Sequence, residues 1–157
     1  MRTTSNVPDN SGGLCKIIAI PPSNINKVEL ISSGLYKLVL KDNRDLFIID
    51  CLPVDAGFQE NRQESDSGDV YSVEISGFIY GMSADNMEIV NILDSGTWTV
   101  VCMDAEGVWF AFGTNRVNLV FERKKTTSNS RTGLKGTSFS FSCEDEYPGL
   151  QIQPLII

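Results

Sequence analysis

Histidine is absent from the 157 residues. The commonest general base near neutral pH is therefore missing, which excludes His-based triads and His-based acid–base catalysis. Cysteine is sparse: Cys15, Cys51, Cys102 and Cys143 are widely spaced and form no C-x-x-C pair. Without histidine, a zinc site would need all four to converge, or carboxylates in place of some, and the spacing offers neither. Each cysteine sits in an apolar or alternating stretch, so buried reduced thiols are expected, with a pair of disulfides as the alternative. A nucleophilic cysteine would need a helix terminus or a basic cluster beside it, and none of the four has that setting. No Walker-type glycine loop occurs, since Gly133-Leu134-Lys135-Gly136 is too short and leads into a strand. No apolar run approaches the ~18 residues of a membrane span. Residues 1–13 carry one early Arg2 with no apolar core behind it, so no secretory signal is expected. Neither catalytic residues, nor a cofactor, nor a metal is expected. Basic charge is also short: 13 Lys and Arg face 20 Asp and Glu, for a net charge of −7. That balance opposes binding that works by neutralising phosphates.

What is present is a succession of short β-rich runs. The length suits one domain, over residues 14–149, preceded by a polar, flexible or extended arm at 1–13 and followed by an apolar tail at 150–157. Strands are expected at 14–20 (ended by Pro21-Pro22), 27–31, 36–41, 46–50, 70–80, 97–103, 108–112, 117–122 and 137–143. Several alternate with period two. Tyr71, Val73, Ile75, Gly77 and Ile79 share one face; so do Val117, Leu119 and Phe121; so do Thr137, Phe139, Phe141 and Cys143. The spacing of Met87, Val90 and Leu93 predicts a single helix over 84–93. Ser83 is its N-cap, Met82 with Met87 its hydrophobic staple, and Gly96 the residue beyond its C-cap. The fold class is all-β, a β-sandwich or barrel, with one short flanking α-helix. The apolar tail is expected to find a partner surface in its own domain or in another subunit.

Two polar segments interrupt the pattern. Residues 54–69 exceed the usual ~4–6-residue connection, so an exposed loop or a protruding hairpin is expected there. Residues 123–135 are basic, hydroxyl-rich and poor in apolar side chains, and read as a mobile loop. The first carries Asp55, Glu60, Glu64, Asp66 and Asp69 against Arg62; the second carries Arg123, Lys124, Lys125, Arg131 and Lys135. Their opposite signs would let them meet across a heterologous interface between identical subunits, although two solubilising loops would look the same. The neighbouring carboxylates Asp104 with Glu106, and Glu144 with Asp145 and Glu146, fit turn geometry better than glycosidase chemistry.

From residue 70 to 148 the order is a long strand, the short helix, "GTWTVVCMDAEGVWFAFGT", an alternating strand, a Ser/Thr/Gly loop and "GTSFSFSCEDEYPG". This order resembles that of tail virion proteins of tailed bacteriophages, particularly tail-tube and ring or connector subunits. The resemblance implies a β-sandwich or barrel with a flanking helix, and a loop or hairpin that reaches a neighbouring subunit. It further implies a homo-oligomer, a hexameric or larger ring, that joins other virion proteins and surrounds a passage through which genomic DNA moves without specific binding. The place would be the virion tail, assembled in the host cytoplasm, with no membrane partner. The expected role is a non-enzymatic structural subunit. Inter-subunit contacts are expected at Phe58, Glu60, Glu64, Asp66, Asp69, Arg123, Lys124, Lys125, Arg131 and Lys135. The alternative is a monomeric β-sandwich module that binds protein or carbohydrate; Trp98 or Trp109 exposed beside a shallow groove would favour it.

Overall fold

The computed structural model describes residues 12–114, 116–127 and 135–157. The N-terminal arm, apart from Gly12 and Gly13, and Arg131 lie outside them. Eleven strands and one α-helix follow in the order β1 (Leu14–Ile20), β2 (Ile25–Ser32), β3 (Leu35–Leu40), β4 (Phe47–Asp50), β5 (Gly57–Ser65), β6 (Gly68–Tyr80), α1 (Ala84–Leu93), β7 (Thr97–Asp104), β8 (Trp109–Phe112), β9 (Leu119–Thr127), β10 (Lys135–Asp145) and β11 (Leu150–Ile152). The chain is thus all-β with one short helix.

Strand β7 belongs to two sheets. Its first residues, Thr97 and Trp98, pair with β9, and its remainder lies between β1 and β8. The first sheet runs β2-β3-β11-β8-β7-β1-β4, and the second runs β7-β9-β10-β6-β5. Between them lies the larger core. Ile17, Ala19, Ile49, Val100 and Phe112 come to it from the first sheet, and Val73, Ile75, Leu119, Phe121, Phe139 and Phe141 from the second. The alternating residues of β6 and β10 point as their period demands: Val73 and Ile75 are buried while Glu74 and Ser76 are exposed. A smaller core occupies the other face of the first sheet, where Ile18, Ile20 and Val101 meet Leu38 of β3 and Ile152 of β11. The first sheet must therefore curl back over itself. That explains the unbroken apolar runs in β1 and β7, since a strand buried on both faces has no position left for a polar side chain.

Helix α1 starts where its sequence says. Ser83 Oγ accepts from the Asn86 N–H at 3.2 Å, and Val90 and Leu93 are buried against the larger core with Met87 beside them. Its end differs from expectation. Gly96 does not take a left-handed conformation; Asp94 stays helical, and the Trp98 indole Nε1–H donates to the Leu93 carbonyl at 2.9 Å. A side chain from the next strand thus satisfies one of the carbonyls a helix end leaves open. Arg123 Nε completes the anchor with an ion pair to Asp94 Oδ2 at 2.7 Å.

Three further expectations are corrected. Residues 123–127 are strand, not loop, because β9 continues alongside β10 as far as Thr127 opposite Lys135. Val117 precedes β9 and is exposed rather than sharing the inner face of Leu119 and Phe121. Among the described residues the strand count rises from nine to eleven. One added strand is β5, which makes residues 57–80 a hairpin, and the other is β11, by which the apolar tail inserts between β3 (parallel) and β8 (antiparallel). Gly149 makes that insertion possible, since a Cβ there would strike the Phe112 ring.

Two stability outcomes follow. Trp98→Ala, read by urea unfolding monitored through circular dichroism, lowers stability by about 3–5 kcal/mol, and Trp98→Phe by about 1–3 kcal/mol through the orphaned Leu93 carbonyl. Thr137 is fully buried and its hydroxyl has no hydrogen-bond partner, so Thr137→Val, which keeps the shape and removes the polar atom, raises stability by about 1 kcal/mol in the same measurement.

Candidate interaction surfaces

The expected contact residues divide into two groups once they are placed. Phe58 is not an outward contact. Its ring packs on Phe110 and Phe112, with centroids at 5.2 and 5.1 Å, and fastens the β5–β6 hairpin to the core. Glu60 is also spent within the chain, its Oε2 accepting from the Gly149 N–H at 2.6 Å and holding the turn before β11. Arg123 is occupied by Asp94, and its Nη1 donates to Asn91 Oδ1. Glu64, Asp66, Asp69, Lys124, Lys125 and Lys135 remain exposed or at the surface.

The two charged hairpins lie at opposite ends of the second sheet. Strand β6 pairs with β10 from Tyr71 opposite Asp145 to Tyr80 opposite Gly136. The β5–β6 turn, at residues 65–68, therefore projects past one end, where β10 finishes in Glu144, Asp145 and Glu146. The β9–β10 ladder reaches the other end, where Thr127 lies opposite Lys135. At ~3.3 Å per residue along β6, the separation is roughly 40 Å. At the acidic end, Arg62 bridges Glu64 and Asp69, leaving Asp66 outermost. An open cavity of about 740 Å³ lies there between Val70, Arg116, Val117, Glu144, Glu146 and Tyr147. At the basic end, Lys124, Lys125 and Lys135 are exposed and make no ion pair with another described residue. Asp55 belongs with this end rather than with the acidic one, because Tyr80 Oη donates to its carboxylate.

The outer face of the same sheet carries two shallow depressions that meet at Glu74 and together make a trough along β10. Ser142 with Glu74 and Gln59 lines one, and Ser138 and Ser140 with Glu74, Glu122 and Lys124 line the other. Alternation along β10 sets these serines on the face opposite Thr137, Phe139 and Phe141, and nothing else in the sequence marks them. Neither tryptophan overlooks the trough: Trp98 is buried, and Trp109 is half-buried in the smaller core.

The remaining chemistry is that of turns and buried thiols. Asp104 Oδ1 accepts from the N–H groups of Glu106 and Val108, and Asp145 Oδ1 accepts from Tyr147 N–H, so each carboxylate orders its own turn. Among the described residues no cluster of three or more Cys, Asp or Glu side chains is arranged to hold a metal ion. All four cysteines are free, with Cys102 buried and the other three half-buried. Burial pushes the Cys51 thiol up to about 12, with Asp50 and Cys15 adding to the shift. It pushes Cys143 up to about 11, with Asp145 and Glu60 contributing, and Cys102 higher still.

These thiols keep their protons in the folded state at a pH where the unfolded chain, titrating near 9.0, has lost them. Their contribution to stability is therefore complete below pH 9 and is lost as pH rises through about 11 for Cys143 and about 12 for Cys51. The urea midpoint is expected to fall above pH 9, and to fall less steeply in Cys51→Ala and Cys143→Ala than in the parent chain.

No protein-family model matches the chain, and no curated protein or solved structure is significantly similar to it.

Proposed function

We propose that this chain is a non-enzymatic structural subunit of a bacteriophage tail, of the tail-tube or ring and connector kind, whose copies associate head to tail through the charged hairpins of the second sheet. The observation that carries the reading is the placement of acidic and basic hairpins at opposite ends of one rigid sheet. Charges of opposite sign on one end would neutralise each other within the subunit. On opposite ends they are left to meet the next copy. Such a contact is heterologous, and it generates a ring of six or more subunits if the rotation closes, or a filament if it does not. The net charge of −7 suits a DNA passage, since like charge keeps phosphates from adhering to the wall. The phage assignment itself rests on the resemblance of residues 70–148, and with it come the other virion proteins as partners and the virion tail as the place.

A second reading is favoured by one observation, the trough along β10 lined by serines and carboxylates, a surface of donors and acceptors suited to a sugar's hydroxyls. In that reading the chain is a monomeric carbohydrate-binding module.

Solution mass by light scattering separates the two. Self-association is expected at about 20 mM salt and loss of it at about 0.5 M, where charges are screened within a few ångströms. Lys124→Glu with Lys125→Glu and Lys135→Glu gives a monomer, as does Glu64→Lys with Asp66→Lys. Mixing the two variants restores association, because each now supplies the sign the other has lost. A monomer at every salt and concentration, with oligosaccharide binding abolished by Glu74→Gln and Glu122→Gln, would establish the second reading instead.

A further inference from the structure

We propose that the open edge of β4 is a docking site for an extended, basic segment of another protein, which joins the first sheet as an added strand. The Cys51 N–H donates to the Cys15 carbonyl at 2.9 Å, and backbone groups alternate in direction along a strand, so Ile49 also turns its N–H and C=O toward β1. Ile48 and Asp50 turn theirs the other way, where they have no backbone partner among the described residues. A cavity of about 300 Å³ is bordered on one side by Ile48, Ile49 and Asp50, and on the other by the end of β6 and by Asn86 and Ile89 of α1. Consecutive strand residues point to opposite faces, so a cavity that touches all three runs along the edge they share. Its far wall is held in place, since Ser83 caps α1 and Asn86 Nδ2 donates to the Tyr80 carbonyl at 3.0 Å.

The other two edge strands carry devices that discourage pairing. Strand β2 breaks register between Ile25 and Lys27 and again between Leu30 and Ser32, and β5 exposes Glu60, Arg62 and Glu64. Strand β4 keeps an unbroken register and presents Phe47, Ile48 and Ile49 in succession, and its four residues limit what it can hold to a short segment. Charge selects the occupant. Asp50 is exposed at the groove, Asp85 stands one helical turn before Ile89, and Asp55 is held beside the groove by the Tyr80 hydroxyl. None of the three forms an ion pair with another described residue, and Lys16, opposite Asp50, offsets only one of them. The surplus suits a segment whose β-branched residues fill the groove against Ile79 and Ile89 while a lysine or arginine meets Asp50 or Asp85. Main-chain bonds to Ile48 and Asp50 then supply the affinity, and the groove the choice of side chain.

The test uses the full chain and a fluorescent peptide of sequence Lys-Val-Ile-Val-Lys, acetylated and amidated at its ends. Binding is read by anisotropy and by hydrogen exchange under NMR. The Ile48 and Asp50 amides, fast in the free chain, are expected to slow by roughly tenfold or more at saturation, while those of Ile49 and Cys51, already bonded to β1, do not change. N-methylation of one set of alternate peptide amides weakens binding by roughly tenfold or more, and of the other set has little effect, because only one edge of the peptide meets β4. Ile48→Pro, which removes only an outward donor, loses the peptide. Asp50→Lys, at an exposed position where folding is not at stake, loses it too and takes a glutamate-flanked peptide instead. Absence of binding would overturn the proposal. So would binding indifferent to both N-methylated sets with neither amide slowed, which is charge attraction alone. Amides of Ile48 and Asp50 already slow in the free monomer, or slowed by raising the chain's own concentration, would give the edge to this chain or to a second copy and overturn it as well.

Discussion

The antiparallel pairing of β1 with β7 removes both strands from water on both faces, and the remaining elements are placed by what they must cover. Ile17, Ala19, Val100 and Cys102 need the second sheet and α1 on one side. Ile18, Ile20 and Val101 need β2, β3 and the last strand on the other. Burying apolar area at ~25 cal/mol per Å² is the principal favourable term here, and a central pair with two apolar faces obtains it twice. The polar interactions then decide geometry within that arrangement. Trp98, which leaves the second sheet as β7 crosses to the first, reaches back with its indole to close the helix, and Arg123 on β9 grips the helix end through Asp94.

The second sheet obeys a different constraint. It is covered on one face only, so its strands alternate, and everything its outer face displays is optional for folding. Function can therefore be written there without disturbing the core. The charged residues at the sheet's ends and the serines along its middle occupy that optional half, while Phe58, Glu60 and Arg123, which share the same hairpins, have been drawn into holding the domain together. One hairpin can thus contain both kinds of residue, and only the inward or outward direction of each side chain separates them.

How far the sequence discloses this depends on how local the determining interaction is. The helix was legible because Ser83 and the spacing of Met87, Val90 and Leu93 act over one or two turns. The strand at 137–143 was legible because its alternation is free of exceptions. Residues 123–127 were not, since Arg-Lys-Lys-Thr-Thr has no apolar face; their strand conformation comes from the ladder with 135–139, and a partner strand overrides weak propensity. The sign of each charged segment could be read directly. That they sit at opposite ends could not, because it depends on β6 pairing with β10 across more than fifty residues of chain. Phe58 looked like a loop residue only because nothing nearby in sequence announces the aromatic pair at 110 and 112 that receives it.

The position of β11 carries a kinetic consequence. Ile152 lies opposite both Tyr36 and Trp109, so β3 and β8, which are not bonded to each other, are joined only through a strand more than a hundred residues after β3. Until that strand arrives, the β2–β3 hairpin is held to the central strands by apolar contact alone, and the edges of β3 and β8 that β11 will fill stay unpaired. Closure then demands a contact of very high sequence separation, the kind that slows folding and prolongs the exposure of unpaired backbone to neighbouring chains. During synthesis, the half of the fold built around β2 and β3 must wait for the ribosome to release the strand that completes it.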